Sequence, residues 1–361
     1  MKTLLLGDFC PMQRQVVELY SQADVDALFG DALSIFRNKD FIAINLECAI
    51  TDKNTPIIKH GPNLKAPAGT ADMIKKLGVN LCSLSNNHIF DFGAPGVEDT
   101  LAALDRVGID YTGWGKDYAD SRRDYVFEKD GERIAVVAVC EHEYSYAKED
   151  KMGSRPFDEF DSIEDIRAAK AQYDRVVVMY HGGKEHCRYP SPRLMRACRA
   201  MVRAGADVVL CQHTHCISCY ENYQDGHILY GQGNAHFIGN PAECWKSGLA
   251  VAYDTTTNEI EFIPLSVGAT SVSLAKGEEY DDIMQGFRDR SASLLDGSWK
   301  KGWREFCESM DSNYRGAVGA AGRPESTDAE NLQFAHYLDC EAHLDVFREL
   351  FRTYHMDDGN Y

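Results

Sequence analysis

The chain has 361 residues, with 38 Lys and Arg against 56 Asp and Glu, a formal net charge of −18 at pH 7. So acidic a balance excludes a general nucleic-acid binder, because two polyanions repel. At 44% hydrophobic and 26% charged, the composition supports a sizeable core and excludes disordered, collagen-like and coiled-coil chains.

Short apolar runs recur at residues 3–6, 41–45, 80–84, 109–111, 133–139, 175–180, 208–211, 228–230 and 248–253; they predict strands. Helical spacing of Val97, Leu101, Leu104 and Val107, and of Leu194, Cys198, Met201 and Val202, predicts helices between them. Lys129-Asp130-Gly131-Glu132 and Thr256-Thr257-Asn258-Glu259 read as hairpin turns, so the sheets are expected to be mixed. The pattern is that of a layered α/β fold. After Pro264 helix formers take over, at 281–295, 298–310 and 329–354, with 316–324 as a loop. The expected organisation is therefore a body of residues 1–265 and a helical C-terminal region, 266–361, packing on it as a lid or an oligomer contact. Tyr280, Tyr337 and Tyr354 read as its packing aromatics.

No window of about 18 uncharged apolar residues is present, and the three leucines ahead of Gly7-Asp8 fall short of the apolar stretch of about 7–15 that an export signal needs. A cytoplasmic protein with no membrane partner is expected. The twelve cysteines are scattered, several within apolar runs (Cys82, Cys140, Cys211), and read as reduced and packed.

Five polar clusters each follow an apolar run: Gly7-Asp8-Phe9-Cys10, Asn45-Leu46-Glu47, Asn86-Asn87-His88 through Asp91-Phe92-Gly93, His181-Gly182-Gly183, and Gln212-His213-Thr214-His215. In α/β folds ligand and catalytic groups sit at the carboxyl ends of strands. Singly each cluster is an ordinary turn or cap. Together they offer carboxylates, amides and imidazoles enough for two adjacent divalent-metal sites. Two further clusters compete: Cys211-x4-Cys216-x2-Cys219 has iron–sulfur spacing, disfavoured because it leaves both histidines idle, and Cys140-Glu141-His142-Glu143 either lines the same pocket or caps the sheet. His60, His227, His236, His336, His343 and His355 are assigned no functional role.

As an ordered set over residues 3–265, these motifs, with Gly96, Thr100, Leu104, Glu185, Ala204-Gly205-Ala206-Asp207-Val208-Val209 and Gly231-Gln232-Gly233-Asn234, resemble the CapA-type poly-γ-glutamate capsule synthesis proteins, themselves similar to calcineurin-like metallophosphoesterases. The resemblance implies a four-layer α/β/β/α sandwich with mixed sheets. It implies that Glu47 bridges two metals, with Asp8 and His215 on one and Asn87, His181 and His213 on the other. It makes His88 the general acid, and Asp91 would orient its imidazole. Two departures stand out. The first motif reads Asp8-Phe9-Cys10 where the hydrolases carry Asp-x-His, and Gly182 stands where the capsule family usually has Trp. The family's early arginine corresponds to Arg14; Lys65 on a proline-bounded loop and Glu185 complete the expected substrate contacts.

The expected activity is metal-dependent phosphoester hydrolysis with one or two divalent ions (Mn, Fe or Zn). The alternatives are hydrolysis or transfer on a γ-glutamyl amide polymer, and a degenerate binding protein. A small molecule or an anionic polymer is the expected substrate; the oligomeric state stays open.

Overall fold

The computed structural model describes residues 1–11 and 17–352. Its strands follow from the apolar runs. In chain order they are Lys2–Phe9 (β1), Phe41–Leu46 (β2), Leu81–Ser83 (β3), Asp110–Thr112 (β4), Tyr125–Lys129 (β5), Glu132–Cys140 (β6) and Arg175–His181 (β7). Val208–Gln212 (β8), Tyr220–Tyr223 (β9), Gly226–Leu229 (β10), Asn234–His236 (β11), Ser247–Asp254 (β12), Glu259–Val267 (β13) and Val272–Leu274 (β14) follow.

Two sheets result. The first runs β14-β13-β12-β1-β2-β3-β4, with β11 alongside the end of β1; the second runs β9-β10-β8-β7-β6-β5. β1 to β4 are mutually parallel, as are β6, β7, β8 and β10, while the flanking hairpins are antiparallel. Both expected hairpins form, joining β5 to β6 and β12 to β13. The first turns through Asp130 and Gly131, both at positive φ (53° and 80°), which matches the twist of the strands it joins.

The central strands are apolar on both faces because each face meets another layer. Leu5, Phe41, Ala43, Val177, Met179, Val208 and Leu210 pack between the sheets. Their neighbours Leu4, Leu6, Ile42 and Ile44 face outward with Val97 and Leu104 of the helix Gly93–Val107 (α1). On the far side Val176, Val178 and Tyr180 pack against Asp161–Lys170 (α2) and Pro192–Ala204 (α3). The architecture is a four-layer α/β/β/α sandwich with mixed sheets.

The C-terminal helices are Gly277–Asp296 (α4), Trp299–Ser309 (α5), Asp311–Ala321 (α6), Asp328–Asp339 (α7) and Glu341–Phe351 (α8). Trp299, Trp303, Tyr314, Tyr337 and Val346 join the outer core of the second sheet. Strand pairing runs on through Pro264 to Leu274, so the change of texture at Pro264 precedes the helices themselves. Residues 316–321, expected as loop, are helical: buried Tyr314 and Ala317 anchor α6 despite its glycines. The single helix expected over 329–354 breaks at Cys340, whose backbone is extended (φ −82°, ψ 128°). Tyr354 and His355 lie outside the described residues, and Tyr280 is exposed.

β1 shifts register against β2 between Leu5 and Asp8 and against β11 between Asp8 and Phe9. Such irregularities re-aim a side chain at a sheet end, and the one re-aimed here is Asp8. A Cβ on Gly7 would stand 2.2 Å from the Gly233 carbonyl oxygen, so only glycine lets β1 approach β11 this closely. Gly7→Ala is expected to cost about 1–3 kcal/mol, read from the urea midpoint.

Candidate metal centre

The parallel strands of both sheets end at one edge, and the polar clusters meet there. Asp8 closes β1, Glu47 follows β2, Asn86 to His88 follow β3, His181 ends β7, and His213 and His215 follow β8. All of these side chains are buried. Backbone geometry is spent on the placement: His213 and His215 both have positive φ (78° and 53°), a cost of order 1–3 kcal/mol each that persists only where surroundings impose it.

Two donor groups result. Asp8, Glu47 and His215 form one, and Glu47, His181 and His213 the other, with donor atoms in each within 4.8 Å of one another. Glu47 belongs to both. His181 Nε2 stands 3.5 Å and His215 Nε2 3.7 Å from Glu47 Oε1, yet neither carboxylate oxygen has a hydrogen-bond partner. Burial, and then the negative charge of Asp8, push the Glu47 carboxyl well above its ordinary value. Buried, unpaired carboxylates are costly without a cation, so this donor set fits divalent metal ions.

Asp8 is held for the same purpose. It accepts from Asn45 Nδ2 at 2.8 Å and from the His213 backbone N–H at 2.9 Å. Burial opposes its charge, but His215, His181 and Asn45 outweigh that and bring it down to about 2. Asn87 donates from Nδ2 to Glu143 Oε2 at 2.7 Å, which turns its Oδ1 toward His181 Nε2 at 3.0 Å. Burial and the neighbouring His213 ring push His181 well down, leaving a neutral imidazole suited to ligation. His215 lies against the Trp245 ring, centroids 4.0 Å apart.

His88 adjoins this centre. Its Nδ1 meets Asp91 Oδ2 at 2.7 Å, its backbone N–H donates to Asn86 Oδ1, and both His88 and Asp91 touch the Lys59 ammonium. Burial first, then Lys59, lower its pKa against the opposing pull of Asp91.

A profile of the bacterial capsule synthesis protein PGA_cap family matches residues 2–238. The chain belongs to this family. Among curated relatives it is 28% identical over 274 residues to the capsule biosynthesis protein CapA of Bacillus anthracis (73% of this chain, 66% of the relative). It is 30% identical over 236 residues to the PGA biosynthesis protein CapA of Bacillus subtilis (64% and 62%). It is also 30% identical over 271 residues to a probable polyglutamine synthesis accessory protein of Mycobacterium tuberculosis (66% and 70%). The chain thus spans just under two thirds of the two Bacillus relatives. Solved structures with a similar fold include a hypothetical protein from Thermus thermophilus (16% identical, TM-score 0.46, 74% of this chain and 100% of the other). Another is a putative 5'-nucleotidase from Staphylococcus aureus in complex with alpha-ketoglutarate (14%, 0.45, 80% and 58%). At these identities and scores the likeness adds nothing to the layered architecture already described.

The first-motif departure of this PGA_cap chain has a structural counterpart. Cys10 is fully buried and belongs to neither donor group; its thiol is raised by burial and by its partner Cys48. Cys10→Ala is expected to retain the metal content of the wild type, read by elemental analysis. Gly182 is enforced, since a Cβ would stand 2.9 Å from both Glu141 Cγ and Tyr180 Cε2. The cysteines with iron–sulfur spacing have separate partners: Cys211 meets Cys198, Cys216 the Cys187 carbonyl and Cys219 the Arg188 carbonyl.

A cavity of about 290 Å³ opens beside the centre, with Asn87, His88, Lys184 and Glu185 on the body side and Tyr314 and Tyr337 from the C-terminal helices. The helical region therefore covers the site. Lys65 is not part of it: its ammonium donates to the Lys53 carbonyl and Asn54 Oδ1, whereas Lys59 and Lys184 line the cavity. Arg14 lies outside the described residues. His236, packed among Phe9, Tyr20 and Phe29, is a core residue that burial brings down to about 3.

Sequence reasoning passed over Lys59, which sits in a loop with no motif, and left the cluster that holds Glu143 between lining the pocket and capping the sheet. The Cys140–Glu143 cluster in fact divides. Glu141 pairs with Arg193, while Glu143 faces the cavity 3.7 Å from His213 Nε2. Among the described residues no helix is long and apolar enough to cross a membrane.

Proposed function

We propose that this chain is a metal-dependent hydrolase of phosphoester type. The observation that carries the reading is Glu47, a buried carboxylate with both oxygens unpartnered between two groups of metal-ligating side chains. Asp8, Glu47 and His215 would hold one ion and Glu47, Asn87, His181 and His213 the other; Mn, Fe and Zn all suit these donors. Bound there, divalent ions supply Lewis acidity and a nucleophile at neutral pH.

The chain's own residues do the rest. Asp91 fixes the His88 ring through Nδ1, leaving Nε2 to carry the proton that the departing oxygen takes up. Lys59 and Lys184 bring positive charge to the cavity wall, where it offsets charge developing on a phosphoryl group. The C-terminal helices limit water around the reacting bond. The test is cleavage of an aryl phosphodiester by the metal-reconstituted protein. Activity that EDTA removes and Mn, Fe or Zn restores is expected, and inactivity with both sites loaded overturns the reading.

A second reading has its own support in the relatives named for PGA and polyglutamine synthesis: the same centre acting on a γ-glutamyl polymer. A chain of net charge −18 repels such a polyanion at long range, and Lys59 and Lys184 supply the local positive charge it would need. Shortening of γ-glutamyl oligomers, followed by chain length, supports this reading, and unchanged oligomers with active enzyme exclude it.

A further inference from the structure

The break between α7 and α8 gathers three residues that the centre described above does not use. His336 lies in the last turn of α7, Cys340 at the extended break, and His343 in the first turn of α8. With Glu143 from the loop after β6 they form a group whose donor atoms lie within 4.8 Å of one another. Glu143, Cys340 and His343 are buried, and the His336 side chain is only 12% exposed.

Several details are those of a ligand set. His343 is fixed through Nδ1, which meets the Tyr314 hydroxyl at 2.6 Å, the arrangement by which a second group sets the tautomer and aim of a ligating imidazole. Neither ring nitrogen of His336 has a hydrogen-bond partner, although Nε2 comes within 3.0 Å of Glu143 Oε1. The Cys340 thiol meets Glu141 Oε2 at 3.9 Å and the His343 backbone N–H. Packing alone accounts for part of this, since Tyr337 stacks on His343 with centroids 4.3 Å apart, but stacking leaves His336 Nδ1 without a hydrogen-bond partner and its Nε2 facing the Glu143 carboxylate. A thiolate, a carboxylate and two neutral imidazoles also sum to the charge that one divalent cation cancels, which removes the cost of burying them.

We propose that Glu143, His336, Cys340 and His343 bind a further divalent ion of the zinc type, four-coordinate through S, N and O. Binding releases the Cys340 thiol proton to solvent and forms the metal–sulfur bond, with no change of oxidation state. The ion would pin the helical cover to the body, because Glu143 comes from the α/β sandwich and the other three ligands from the cover. It would also reach the first centre, since the second Glu143 oxygen holds the Asn87 amide. The inference stands independently of the proposed phosphoesterase activity.

The test is cobalt substitution of the full chain, read by absorption and metal content. Among the donor groups described, only this one contains a thiolate, so Co(II)-loaded wild type is expected to show sulfur-to-cobalt charge transfer in the near ultraviolet. Cys340→Ser should lose that band and one ion per chain, whereas Glu47→Gln should keep the band. Absence of the band from wild type at full cobalt loading overturns the proposal without needing any variant to fold. Persistence of the band in Cys340→Ser overturns it equally.

Discussion

Replacing His88 by alanine is expected to lower kcat for a phosphodiester with an alkyl leaving group by about 10²–10⁴-fold, with bound metal unchanged. The expectation rests on the division of labour around Asn86–Asp91. Asn87 turns its amide oxygen to the metal donors, whereas His88 is tied to Asp91 and lines the cavity. Its proton matters only when the departing oxygen is basic. The loss should therefore be large for an alkyl ester and small for a nitrophenyl ester, whose leaving group departs without a proton. Equal losses on both, or loss of metal with the imidazole, would place His88 in binding or in structure instead. Asp91→Asn should give a smaller loss with the same leaving-group dependence, because it disturbs the ring without removing it.

The second large effect is opposite in sign for two states of the protein. Glu47→Gln is expected to stabilise the metal-free chain by roughly 1–3 kcal/mol, because a buried carboxyl there must either carry an unpaired charge beside Asp8 or take up a proton to fold, and the amide does neither. The same change should abolish the stabilisation that comes from metal at this centre, which for one intact site is about 2.7 kcal/mol at a hundred times Kd. Thermal melts with and without Mn(II) read both quantities. A variant less stable without metal and stabilised by Mn(II) as much as the wild type would show that Glu47 is a structural carboxylate.

Much of the fold, and the gathering of these side chains at one sheet edge, was legible in the sequence. The apolar runs at 3–6, 41–45, 175–180 and 208–211 mark central strands because each is buried on both faces, and the polar residues directly after them had only one sheet edge to occupy. Asp8, Glu47, Asn87, His181, His213 and His215 meet there for that reason. Lys59 and Glu143 were not legible, since each reaches the cavity from a loop whose path depends on tertiary packing. Lys65 misled because a proline-bounded loop says where the chain turns, and not which lysine faces inward. The C-terminal region hid most. His336, Cys340 and His343 converge only because α7 stops at Cys340, and helix-forming composition gave no sign of that break. The glycines of 316–321 likewise suggested a loop, yet burial of Tyr314 and Ala317 outweighs their weak helix propensity.

The most direct test of the central claim, two ions sharing Glu47, is electron paramagnetic resonance of the Mn(II)-loaded protein. A carboxylate held in common puts two ions close enough for their spins to couple, so an exchange-coupled spectrum is expected in wild type and its loss in Glu47→Gln. Only isolated, uncoupled Mn(II) signals from the fully loaded wild type would contradict the account.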